Sequence, residues 1–150
     1  MQSTAFELEA VIDQHLAALR AILKDKMEYK PSPSKWSKKE ILGHMVDSAQ
    51  NNIRRFIVAQ YEENPIIVYK QDNWVALSNY QHYDLANLVN LWYLLNKHIV
   101  IILKNMTPET MQRSCQTESL HTIDWLAKDY VRHLRHHLHQ VLDLEPVDHR

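Results

Sequence analysis

Residues 61–82 read YEENPIIVYKQDNWVALSNYQH, and the arrangement of the whole chain turns on how this segment is used. It separates two stretches of helical periodicity, carries Pro65, and contains the short apolar run Ile66-Ile-Val-Tyr69. A helix of about 22 residues is roughly 33 Å long, and an extended connection of this size can run back along it. The helices on either side can then be parallel, as in bundles with one long crossover. An antiparallel pair with a large lid loop fits the same length.

Outward from this connection, four segments repeat apolar residues at helical spacing. The first, about Thr4 to Lys24, aligns Leu8, Val11, Ile12, Leu16, Leu19, Ile22 and Leu23, and Lys30-Pro-Ser-Pro-Ser34 breaks it. The second starts with Ser37 as N-cap and Glu40 three positions on, a capping-box pattern, and runs to about Gln60 with Ile41, Met45, Ala49, Phe56 and Ala59 on its stripe. The third covers about Tyr83 to Asn105, with Leu88, Leu91, Trp92, Leu95, Ile99 and Ile102. The fourth runs from near Thr122 to about Asp143, and Asn105 to His121, broken by Pro108, is an irregular connection. One glycine among 150 residues and a wealth of Leu, Ala, Lys, Glu and Gln favour helix over turn-dense sheet. The expectation is an all-α chain, residues 1–150 forming one domain large enough to bury a core without staples.

Charge excludes some functions. The formal net charge is −1 with histidine neutral, so no global positive field points to nucleic acid or anionic lipid. The single cysteine, Cys115, has no partner for an internal disulfide and fits a reducing compartment. The start MQSTAFELEAV shows no charged-then-apolar leader, and the run Ile99-Val-Ile-Ile-Leu103 is too short to span a bilayer. These features predict a soluble cytoplasmic protein.

Four histidines fall within residues 129–140, DYVRHLRHHLHQ. Positions four apart on a helix lie about 40° apart and about 6 Å along its axis, so His133 and His137 form a pair on one side. The stripe there is Leu126, Tyr130, Leu134, Leu138 and Val141; His137 falls inside it, His133 on its edge, and His136 further out. Two imidazoles hold a metal weakly, so a third ligand has to come from another helix. His44, at the margin of the second helix's stripe, is the candidate, with Asp47 three residues on as a possible acceptor of an imidazole N–H. The plain alternative is a solvated or hydrogen-bonded histidine face. His15, His82, His98, His121 and His149 show no comparable spacing, and Trp74, Tyr80, Tyr83 and Trp92 are either core or the wall of a pocket under the crossover.

The stretch WSKKEILGHMVDSA, residues 36–49, followed by Asn52 and Arg55-Phe56, resembles the second-helix motif of the DinB-like superfamily of small metal-binding bundles. HTIDWLAKDYVRHLRHHLHQ, residues 121–140, resembles its last-helix motif. The resemblance implies an up-down-down-up four-helix bundle and a three-histidine site on His44, His133 and His137. It implies one divalent metal ion, such as zinc, nickel, manganese or iron, and often a homodimer. Members include bacillithiol S-transferases, mycothiol-dependent isomerases and candidate metal-dependent hydrolases, and the resemblance implies no DNA-binding activity.

The leading expectation is a metal-dependent enzyme acting on a small-molecule substrate, a low-molecular-weight-thiol S-transferase in which the ion makes thiolate available near neutral pH. Its rivals are a metal-dependent hydrolase acting through metal-bound hydroxide and a non-catalytic metal-binding or sensing bundle. No general base is identified: Asp47 and His136 lie near the motifs, as possible groups around the ligands, but neither has a spacing that requires the role.

Overall fold

The computed structural model describes residues 2–146. Four long helices form the bundle: α1 (Gln2–Ala21), α3 (Lys38–Val58), α5 (Leu85–Lys104) and α7 (Ile123–Val141). Short elements lie between them: α2 (Lys24–Glu28), α4 (Gln71–Ser78), a single 3-10 turn (Tyr80–His82), α6 (Pro108–Met111), and the strands β1 (Ser114–Gln116) and β2 (Leu120–Thr122).

The helix starts follow local chemistry. Ser37 Oγ accepts from the Glu40 backbone N–H at 3.1 Å while Glu40 Oε1 accepts from the Ser37 N–H at 3.0 Å, so the predicted capping box is formed. Asp84 caps α5 at the Asn87 N–H and Thr122 caps α7 at the Trp125 N–H.

Direction follows from which residues meet. Arg20 bonds Asn90 and Glu9 meets Lys97 and Lys104, so α1 and α5 are antiparallel. Lys38 bonds the Val141 carbonyl while the Phe56 and Tyr130 rings meet edge to face, so α3 and α7 are antiparallel. Glu7 pairs with Arg135 and His15 lies against His139, which makes α1 and α7 parallel. The order is therefore up-down-down-up, with α5 packed against both α1 and α3, and the long crossover joins the two parallel helices α3 and α5. By length and apolar content α5 alone among the described helices could cross a membrane, but here it packs between α1 and α3 as the core helix of a bundle.

The core is built from the expected stripes, with Leu8, Ile12, Met45, Phe56, Leu88, Trp92, Ile99, Leu134 and Leu138 buried. Two of its polar side chains are linked: Tyr130 Oη donates to Asn96 Oδ1 at 2.5 Å, and Asn96 Nδ2 donates to the Trp92 carbonyl.

Three differences from the sequence reading concern the connections. The first helix ends at Ala21 rather than near Lys24, because the extended Leu23 turns the chain so that Met27 is buried and Glu28 meets the buried Lys39 at 2.8 Å. The crossover is not wholly extended: it contains α4, whose eight residues bury only Val75 and so show no stripe. The segment before α7 forms an antiparallel hairpin with Cys115 opposite His121, and Ile66 of the crossover joins it as a bridge to Gln116.

Gly43 is where the crossover touches α3 most closely. A Cβ at that position would lie 2.1–2.6 Å from three Tyr80 ring atoms. Glycine inside a helix ordinarily costs about 1 kcal/mol relative to alanine. Here Gly43→Ala is expected to destabilise by about 1–3 kcal/mol, because Tyr80 is buried and held at its hydroxyl. A urea midpoint at or above that of the unaltered protein would contradict this packing.

Candidate metal centre

The antiparallel contact of α3 with α7 brings His44 over the His133–His137 pair. One ring nitrogen from each of the three lies within 4.8 Å of the other two. The rings are edge-on, with centroids 4.8 Å apart for His44 and His137, 5.7 Å for His44 and His133, and 4.5 Å for His133 and His137. His44 is 1% exposed, and the Trp36 ring packs against it at 5.1 Å.

The electrostatics suit lone-pair donors. Burial, with a smaller contribution from His133, pushes His44 down to about 4, and Asp72 on α4 opposes this. Burial and then His133 push His137 down to about 3, while its bond to Gln140 acts the other way. Both imidazoles are therefore neutral at neutral pH. His137 Nδ1 is bonded to Gln140 Oε1 at 2.8 Å; since the amide oxygen only accepts, Nδ1 carries the proton and Nε2 the lone pair. That Nε2 and His44 Nδ1 are buried with no hydrogen-bond partner among the described residues. Two buried orphaned nitrogens in a cluster of three imidazoles fit a cation.

The groups expected around the ligands are placed differently. Asp47 bonds Tyr80 rather than an imidazole: it is fully buried, its Oδ1 accepts from the Tyr80 hydroxyl, and Oδ2 is buried with no partner among the described residues. Tyr80 of the crossover covers the side of α3 that carries it. Burial pushes it up to about 6, although the Tyr80 bond acts in the opposite sense. His136 stands ring to ring with His137 at 5.1 Å, outside the three-nitrogen cluster. Gln140, the residue that does hold His137, carried only its i,i+3 spacing as a signal. His15 bonds the Val11 carbonyl, and His149 lies outside the described residues.

Beside the cluster is a cavity of about 420 Å3, lined by His133, Ser48, Asn52, Arg55, Tyr69 and Trp125 among others. Of the aromatics considered from sequence, Trp92 is core and Tyr80 packs on Gly43. The cavity wall is instead Tyr69 from the crossover and Trp125 from α7, whose ring stacks on His121 at 3.5 Å and 7°.

Comparison with known proteins bears on this arrangement. A profile of the DinB superfamily matches residues 7–141. A protein of Halalkalibacterium halodurans is 31% identical over 108 residues, 69% of this chain and 61% of its own length. One of Oceanobacillus iheyensis is 27% identical over 113 residues, 73% of this chain and 64% of its own. Both bear names that mark them as candidate metal-dependent hydrolases. The chain thus spans somewhat less than two thirds of these relatives. Among solved structures, YfiT from Bacillus subtilis, a four-helix bundle, superposes with a TM-score of 0.83 at 21% identity, covering 94% of this chain and 83% of that one. A mycothiol-dependent maleylpyruvate isomerase superposes at 0.76 and 11% identity, covering 97% of this chain and 60% of that one. At these identities the likeness shows the fold.

Asp47 gives the site a measurable pH dependence. Its pKa is near 6 folded against an ordinary 3.8, so its contribution to stability is full below the lower value and is lost as pH rises through the upper. In metal-free protein, Asp47→Asn should therefore gain on the unaltered chain by on the order of 1–2 kcal/mol between pH 4 and pH 7.5. The His44 and His137 titrations are common to both proteins and cancel in the difference. Parallel thermal-denaturation curves across that range would show that Asp47 is already ionised at low pH.

Proposed function

The chain belongs to the DinB superfamily, and we propose that it is a metal-dependent enzyme whose divalent ion is held by His44, His133 and His137. The observation that carries this reading is the convergence of three imidazoles from two helices, with two of their buried nitrogens orphaned. The names of the relatives as candidate metal-dependent hydrolases support the metal. When bound, the ion would supply Lewis acidity that lowers the pKa of a nucleophile beside it.

The chain's own residues prepare the site. Burial between α3 and α7 keeps His44 and His137 neutral, and Gln140 fixes the His137 tautomer by accepting a hydrogen bond from its Nδ1–H. Trp36 packs against the His44 ring, and the cavity beside His133 receives the substrate.

The reaction we favour is transfer of a low-molecular-weight thiol to an electrophile. The protein's own Cys115 does not serve: it is fully buried, its Sγ donates to the Pro65 carbonyl at 3.3 Å, and burial pushes its thiol up. The sulfur therefore comes with a co-substrate. A free thiol needs a far smaller shift than bulk water to ionise at neutral pH, which suits a site whose nearby carboxylate is bonded to Tyr80. The fold shared with a mycothiol-dependent isomerase supports this reading. Hydrolysis is the second reading, favoured by the relatives' names.

Metal content by plasma mass spectrometry should give about one ion per chain, lost in His44→Ala and His137→Ala, with about 10–100-fold weaker affinity in Gln140→Ala. With zinc restored, cysteine and 1-chloro-2,4-dinitrobenzene should be turned over and chelation should stop it. Turnover of p-nitrophenyl acetate without added thiol would instead select the hydrolase. Full activity in metal-free protein would remove the metal from the reaction.

A further inference from the structure

Arg55 is a half-buried guanidinium on the wall of the cavity that reaches His133. Nε and Nη2 both donate to the Ile67 carbonyl, at 3.1 and 3.0 Å, and Nη1 reaches Asn52 Oδ1 at 3.4 Å. These bonds tie the crossover to α3, but they use three of five N–H groups and bring no negative charge. One N–H on each terminal nitrogen is left.

No carboxylate forms an ion pair with Arg55 among the described residues. Asp129, also on the cavity wall, is paired with Arg132 at 3.2 Å. Glu118, on the exposed hairpin turn, acts on the guanidinium only through space. The Tyr69 ring lies under it with 5.7 Å from the guanidinium carbon to the centroid. A charge drawn from water without a counter-ion is costly, and the bonds to Ile67 and Asn52 would be served by neutral donors. A planar guanidinium with unused N–H groups and no paired carboxylate suits a carboxylate ligand, which can accept more than one of its N–H bonds. The lining also holds Tyr69 and the stacked Trp125 and His121, aromatic surfaces that suit a flat apolar body.

We propose that Arg55 forms an anion subsite in this cavity and that the substrate is a small organic carboxylate, held at Arg55 by its carboxylate with its reactive part toward His133. The orientation rests on the trio being the reaction centre; binding of the carboxylate does not.

The test is a titration of metal-free protein with benzoate and with the neutral benzamide, following the Arg55 Nε–H resonance by nitrogen-proton NMR. Benzoate should shift that resonance saturably, bind about tenfold or more tightly than benzamide, and weaken as salt is added. Arg55→Gln should lose about tenfold or more in benzoate affinity and Arg55→Lys should retain part of it. If the Gln variant does not fold, the benzoate and benzamide comparison and the Lys variant still decide. Equal affinity for the two probes, or benzoate affinity untouched in the Gln variant, would overturn the subsite. So would benzoate binding that appears only after zinc loading. A benzoate response that persists in a chain whose trio binds no zinc would leave the subsite standing and remove the function proposed for the trio.

Discussion

The rest of the site depends on desolvation of the imidazoles where α3 packs antiparallel to α7. Placing His44 and His137 in the bundle interior makes their charged forms costly, so they persist as neutral rings with lone pairs. The same burial withdraws water from ring nitrogens that have no protein partner. Such a cluster is costly as a bare structural feature and favourable as a set of metal donors. Gln140 orders it further, since its oxygen can satisfy His137 in one tautomer only.

The crossover makes this arrangement possible. Because it joins two parallel helices, it has to travel the length of the bundle, and on the way it closes the α3 surface. Arg55 fastens its extended part at Ile67, and Tyr80 fastens its far end through the Gly43 contact and the Asp47 bond. Asp47 is thereby kept off the imidazoles, and Tyr69 is carried to the cavity wall. The one glycine in the chain stands where Tyr80 leaves no room for a Cβ.

The balance of charges around the cavity separates its two ends. The histidine end offers imidazole nitrogens, while the Arg55 end carries a guanidinium and donates N–H bonds. A ligand with an electron-rich anionic group at one end and a reactive centre at the other would be oriented by this difference alone. Fixing orientation in this way reduces the entropy lost on reaching the reactive geometry.

The sequence by itself determined the four bundle helices, their apolar stripes, the Ser37 capping box and the histidine pair on α7, because these are set within one or two turns of one chain segment. His44 was legible from its place beside a stripe and from the motif around it. The two-way choice for the 61–82 segment, the bond of Asp47 to Tyr80, the service of Gln140 to His137 and the unused N–H groups of Arg55 were decided only by tertiary structure. Each depends on which groups from distant segments exclude water from one another, and helical spacing carries no information about that. The short α4 and the hairpin were hidden for a related reason: with few buried side chains of their own, they are held by the bundle they cover.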